Sequence, residues 1–292
     1  MTRMMDLVAD TRRLAYGSMA DQLNFLAADA PLGSAELTMM MDPVGITPGM
    51  VLSSGLNVYY VVNVIAAEKK VVVYPTYDNS HADALPAGSA VMVRPRVTDW
   101  QLFQNLNWEI TQLCSPSNGL YKVASWKSNI DVTWQTYDVP VEAQGMISLL
   151  RVRCRWPSTP DIWSDLDDIM FEHQQDRNLV KLKRNLPASS ELEFVYKNSF
   201  TQAATLTDDV VVDCGLAESM LDIPPMGAAV KLLRTTESRR TQIHNQGDSR
   251  RAEEVQPGAN SSGARELERA YQNRVNDELA RLISNHPVRI GM

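Results

Sequence analysis

Six short runs of apolar or alternating residues crowd the stretch from Leu23 to Arg94. They are Leu23–Leu26, Glu36–Met40, Met50–Ser53, Asn57–Ile65, Lys70–Tyr74 and Ala90–Arg94. Turn-forming residues punctuate them at Asp42-Pro43, Thr47-Pro48-Gly49, Ser54-Gly55, Asp78-Asn79 and Pro86-Ala87-Gly88. Strands this short, at this spacing, build a small antiparallel barrel or sandwich. Val58 to Val62 show little polar alternation, which predicts a central strand covered on both faces.

Helical periods flank this stretch. Near the start, Thr2 is placed to cap a helix whose face carries Met4, Leu7, Val8 and Leu14, with Gly17 ending it. After the strands, Thr98 or Asp99 is placed to cap a helix over Trp100–Leu113, with Leu102, Phe103, Leu106, Ile110 and Leu113 on its apolar face. A second β-rich stretch follows, with candidate strands at Leu120–Trp126, Val132–Tyr137, Ile147–Arg155, Ile169–His173, Leu179–Leu182 and Leu192–Tyr196. Along Leu149–Trp156 the alternation puts Val152, Cys154 and Trp156 on one face. Arg151, Arg153 and Arg155 lie on the other, a basic outer face. From Leu216 the pattern is helical again, and Pro224-Pro225 suits a first helical turn. His244–Gly263 is too polar to bury a core. A last helix over Ala264–Asn285 carries the stripe Leu267, Tyr271, Val275, Leu279 and Leu282. The expected class is α+β: an N-terminal helix with a small barrel and a following helix (1–118), a central β-sandwich-like unit (119–215) and a helical tail with a polar linker (216–292).

Composition narrows the functions open to such a chain. With a net charge of -7 over 292 residues, the whole surface does not suit a nucleic-acid-gripping domain. Cys114, Cys154 and Cys214 are too scattered for a zinc site and read as small, reduced, buried residues. No secretory pattern and no apolar run of membrane length appear, so the expectation is a soluble protein made in a cytoplasm. Phosphate loops, dinucleotide fingerprints, nucleophile elbows and HExxH pairs are missing. His81, His173, His244 and His286 each stand alone. Asp161, Asp165, Asp167 and Asp168 lack the spacing and glycine of a calcium loop and read as a solvated acidic loop between strands. These readings predict no catalytic, cofactor or metal residue, and a protein that is not an enzyme.

The basic residues Lys231, Arg234, Arg239, Arg240, Arg250 and Arg251 are interrupted by acids and lack interleaved aromatics, so they read as ion-pairing residues of a subunit interface. The candidate subunit or portal interface is therefore Arg234, Arg239, Arg240, Arg250 and Arg251, with the stripe Leu267, Tyr271, Val275, Leu279 and Leu282. Tryptophans 100, 108, 126, 134, 156 and 163 are expected mostly in cores, with one or two as interface anchors.

The order of pieces resembles neck proteins of tailed bacteriophages, of actinobacteriophage type. The resemblance rests on Asp42-Pro-Val-Gly-Ile-Thr-Pro-Gly-Met-Val-Leu, on Tyr59-Tyr60-Val61, on Val71 through His81 and on Ala87-Gly88. It continues through Arg94–Trp100 into a helix, Ile223–Ala229 opening another, and a final helix closing on a proline. Tyr74-Pro75-Thr76 departs from it where an Arg-Gly turn is usual, and residues 119–215 match least. The resemblance implies a head-to-tail connector: a ring, dodecameric in that group, joining the portal protein to the next neck or tail component around the DNA channel. It implies assembly in the host cytoplasm, residence in the virion neck, at most weak contact with packaged DNA, no membrane and no cofactor. A different reading of the same β units is a carbohydrate-binding or adhesin module on the virion surface, with exposed tryptophans stacking on sugars. The charged helical tail favours the connector.

Overall fold

The computed structural model describes residues 2–17, 22–75, 83–129, 136–138, 146–156, 162–166, 169–174, 177–182, 190–244 and 259–287. The fold is α+β. The chain divides into two compact units: residues 1–110, 202–214 and 218–272, and residues 111–201, 215–217 and 273–292. The segment read as a tail is not a unit of its own. Helix α3 (Ile223–His244) belongs to the first unit, and α4 (Ala259–Asn285) is shared between the two.

In the first unit, strands β1 (Gln22–Phe25), β2 (Glu36–Thr38), β3 (Val51–Ser54), β4 (Asn57–Ile65), β5 (Lys70–Pro75) and β6 (Ala90–Val93) form one antiparallel sheet in the order β1-β6-β3-β4-β5-β2. The two outer strands also meet. Leu26 bridges Met39, Ala27 N–H donates to the Thr38 carbonyl at 2.8 Å, and Met40 N–H donates to Phe25 at 2.7 Å. The sheet thus closes into a barrel, whose interior holds Leu26, Leu37, Met39, Leu52, Tyr59, Val61, Val71, Val73, Val91 and Val93. Strand β4 matches its expected bounds, but it is covered on one face only. Tyr60 and Val62 are exposed, because in a closed barrel alternate residues must leave the core.

Helix α1 (Met4–Tyr16) packs against α3. Its cap is not Thr2: the Asp6 carboxylate accepts from Arg3 N–H at 2.9 Å. Leu14 is exposed, and Thr11 and Ala15 complete the buried face in its place. Gly17 does take a positive φ of 67°, with ψ at -145°, outside the left-handed helical basin. Helix α2 (Asp99–Gln112) begins with a reciprocal capping box. Gln101 N–H donates to Thr98 Oγ1 and Thr98 N–H donates to Gln101 Oε1, both at 3.2 Å. Buried Asn107 on α2 clamps the return segment: its amide donates to the Ala203 carbonyl and accepts from Ala203 N–H, each at 2.9 Å.

The second unit contains two antiparallel sheets. The first, in the order β10-β9-β13-β7, comprises β7 (Lys122–Asn129), β9 (Met146–Arg155), β10 (Trp163–Leu166) and β13 (Glu191–Asn198). The second, β11-β12-β8, comprises β8 (Thr136–Asp138), β11 (Ile169–Gln174) and β12 (Arg177–Leu182). One shared core joins them, with Val152, Cys154, Leu192 and Phe194 from one sheet and Tyr137, Ile169, Val180 and Leu182 from the other. Trp126 stacks on Phe194 at 4.3 Å. This is the sandwich read from the sequence, with one strand more. Asp165 does not lie in a solvated loop but in β10, opposite Arg153 of β9. Asp161, Asp167 and Asp168 lie outside the described residues. Two of the three arginines on the basic face of β9 are paired with acids: Arg153 with Glu193, and Arg155 with Glu191, both on β13. Trp163 sits under Lys127, Arg153 and Arg155, with cation-to-centroid distances of 5.3–5.6 Å.

Candidate functional site: a helical joint around Glu109

Three helices of the first unit meet at one carboxyl group. Glu109 falls on the apolar face of α2, three residues after Leu106, and only 5% of its surface is exposed. It fits there because Gly227 of α3 has no side chain. A Cβ at Gly227 would lie 2.5 Å from Glu109 Oε2 and 3.0 Å from Tyr271 Cε2. Tyr271, from α4, hydrogen-bonds the carboxyl, and Lys231, one turn after Gly227, acts on it through its charge. The Lys231 ammonium also stands 3.8 Å from the centroid of the neighbouring Trp108 ring.

Burial disfavours the carboxylate, and this outweighs the pull of Lys231 and the Tyr271 hydrogen bond, so Glu109 titrates at about 7. A glutamic acid that is half protonated near neutrality can act as donor or acceptor to Tyr271, and its charge depends on pH. Beside this joint, a groove of about 750 Å³ opens between α1, α2 and α3, lined among others by Tyr16, Trp100, Gln101, Gln104, Lys231 and Thr235.

No known family, curated protein or solved structure matches the chain.

The candidate interface residues separate into three groups. Arg234 and Tyr271 lie in the first unit. Arg234 is exposed and pairs with Glu268 of its own chain at 2.5 Å, so it meets an intrachain carboxylate rather than a neighbour's. Leu267 is half-buried there. Val275, Leu279 and Leu282 belong to the second unit. Val275 and Leu282 are buried, and Leu279 packs on Gly119. Two members of the stripe are therefore buried within the chain, and Leu267, Tyr271 and Leu279 are half-buried. Arg239 and Arg240 lie on the backbone of α3, with side chains outside the described residues. Arg250 and Arg251 lie wholly outside them.

Among the described residues no three metal-binding side chains cluster. His81 lies outside the described residues, as do the side chains of His173 and His244. His286 is lowered by desolvation and by Arg151 and Arg281. Among the described residues no helix is long and apolar enough to cross a membrane. Sequence reasoning missed Glu109 and Gly227. The readable signal was a glutamate on the buried stripe of α2 and a glycine inside an otherwise continuous helix.

Proposed function

We propose that the chain is a structural subunit of a tailed-bacteriophage neck, a head-to-tail connector that assembles as a ring between the portal and the next tail component. The observation that carries this reading is where the resembling segments fall. Residues 42–52, 59–61, 71–75 and 87–88 all belong to one closed barrel, 94–100 leads from it into α2, and 223–229 opens α3, so these segments share one compact unit, while the final helix is divided between the two units.

Surface chemistry supports the same choice. The sugar-binding alternative calls for exposed tryptophans that stack on sugars, whereas Trp108 lies under Lys231 and Trp163 under three cations. The closed barrel instead exposes large apolar side chains, which is the composition of a protein contact. In this reading the protein has no catalytic role, resides in the virion, and meets packaged DNA weakly at most.

The test is negative-stain imaging of the purified protein, alone and mixed with the portal protein of the same phage, beside a glycan-binding screen. Rings seated on the portal are expected. A protein that ignores the portal and binds a defined glycan overturns the reading in favour of an adhesin.

A further inference from the structure

The outer wall of the barrel carries two apolar patches of different chemistry. One is aromatic. Tyr60 of β4 and Tyr74 of β5 are direct cross-strand partners, and Val51 of β3 is the partner of Tyr60 on the other side. Val62 joins them at the bulge in β4. Tyr74 is 68% exposed and Val62 55%. The other patch is rich in methionine. Leu23 of β1 points outward, and the chain leaving the β1–β2 seam exposes Met40 (52%), Met41 and Val44 (77%).

The methionine patch is not a floppy loop. The Asn24 side chain grips the Met41 backbone twice, donating to its carbonyl at 3.2 Å and accepting from its N–H at 3.1 Å. Met40 N–H is held by Phe25. Both patches are thus built on hydrogen-bonded backbone, and their exposure is fixed.

Their placement decides what can cover them. Around the closed ring of six strands, β1 with Leu23 and β4 with Tyr60 and Val62 stand three places apart in either direction. Strands β2 and β5 are neighbours, but Thr38 pairs with Lys70, so the Met40–Met41 segment leaves at the end of β5 far from Tyr74. One patch cannot fold onto the other within a chain. A two-fold contact of like with like would cover one patch and leave the other open. A head-to-tail contact covers both with a single interface, and a rotation that closes makes a ring. The chemistry is complementary as well: thioethers adapt to irregular surfaces and pack favourably against aromatic edges.

We propose that the barrels of successive copies join head to tail, the Leu23/Met40/Met41/Val44 patch of one copy seating on the Tyr60/Val62/Tyr74 patch of the next. This deepens the connector reading and rests on it for the closure into a ring.

The test uses the full chain in two variants. One carries Met40→Lys and Met41→Lys, the other Tyr60→Glu and Tyr74→Glu. All four side chains are exposed, so thermal unfolding should match wild type and serves as the control for folding. By sedimentation velocity over a concentration series, each variant alone should lose self-association at least about tenfold, as expected for charges placed in an apolar contact. Mixed one to one, they should form heterodimers and nothing larger, because the mixture retains only one intact pair of patches. Wild-type-like assembly by both variants overturns this interface while leaving the connector reading standing. Loss of assembly in only one variant, or no heterodimer on mixing, overturns the head-to-tail arrangement. A wild-type chain that remains monomeric at all concentrations, and with portal present, overturns both.

Discussion

Alanine at Gly227 separates intrinsic helix preference from packing. In an open helix, alanine in place of glycine stabilises by about 1 kcal/mol, because glycine loses more backbone freedom on folding. At Gly227 the new Cβ meets Glu109 Oε2 at 2.5 Å, its Cδ at 2.8 Å and the Tyr271 ring at 3.0 Å. Glu109 has little room to retreat, since it is buried, and moving it breaks its hydrogen bond with Tyr271. Overpacking of this kind costs about 1–3 kcal/mol. Gly227→Ala should therefore destabilise by about 1 kcal/mol net, with faster hydrogen exchange over residues 264–272 of α4. Glu109→Ala empties the notch. In that background, Gly227→Ala should regain its ordinary sign and stabilise by about 1 kcal/mol. The double-mutant cycle, read by urea unfolding of the full chain at pH 7, should give a coupling of about 2 kcal/mol. A stabilising Gly227→Ala in the wild-type background, or a coupling near zero, would refute the notch.

The same carboxyl makes stability depend on pH. Its folded value of about 7 stands above the ordinary 4.5, so between these values the folded chain keeps a proton that the unfolded chain has lost. Stability should fall as pH rises through that window, by at most about 3 kcal/mol, and Glu109→Gln should flatten the profile; parallel profiles for the two proteins would contradict this. Asn107→Ala should cost about 2 kcal/mol in urea unfolding, because it strands the buried N–H and carbonyl of Ala203, and an unchanged midpoint would count against the clamp. Cys154 and Cys214 are buried, Cys114 is half-buried, and burial raises the thiols of Cys114 and Cys154. A thiol-reactive dye at pH 7 should thus label all three only in urea, and fast labelling of the native chain would contradict their placement.

The sequence carried its local rules clearly and its long-range closures poorly. Strand β4 was readable to the residue from its run of β-branched and aromatic side chains, and α3 from the Pro224-Pro225 start. The β1–β2 seam was not, because it consists of one bridge, Leu26 to Met39, between elements ten residues apart. Strand β10 was missed because Trp163-Ser-Asp-Leu has no alternation of its own. Its partners, Arg153 and Arg155, lie on β9 and declare themselves only once the register is known. Helix α4 starts at Ala259, earlier than expected, because it runs back through Asn260–Gly263, whose polar composition reads as linker. The candidate interface was legible as an amphipathic stripe, but a stripe does not name what it packs against. Two of its members are buried in this chain's own fold. Glu109 escaped notice because an acid on a buried face is recognisable only beside the glycine that makes room for it.

The seam that closes the barrel bears on crowding. Copies held at high local concentration, during synthesis or in an assembly, are prone to polymerise through unpaired strand edges. Four of the six barrel strands have a neighbour on both sides, and β1 and β2 meet through the Leu26–Met39 bridge at their ends, so little strand edge is left as a template for further strands. Contacts to this wall are then made mainly through side chains. A contact made that way can be strengthened, weakened or redirected by single substitutions without disturbing the hydrogen-bond ladder beneath, which leaves the barrel wall free to diverge while its fold stays fixed.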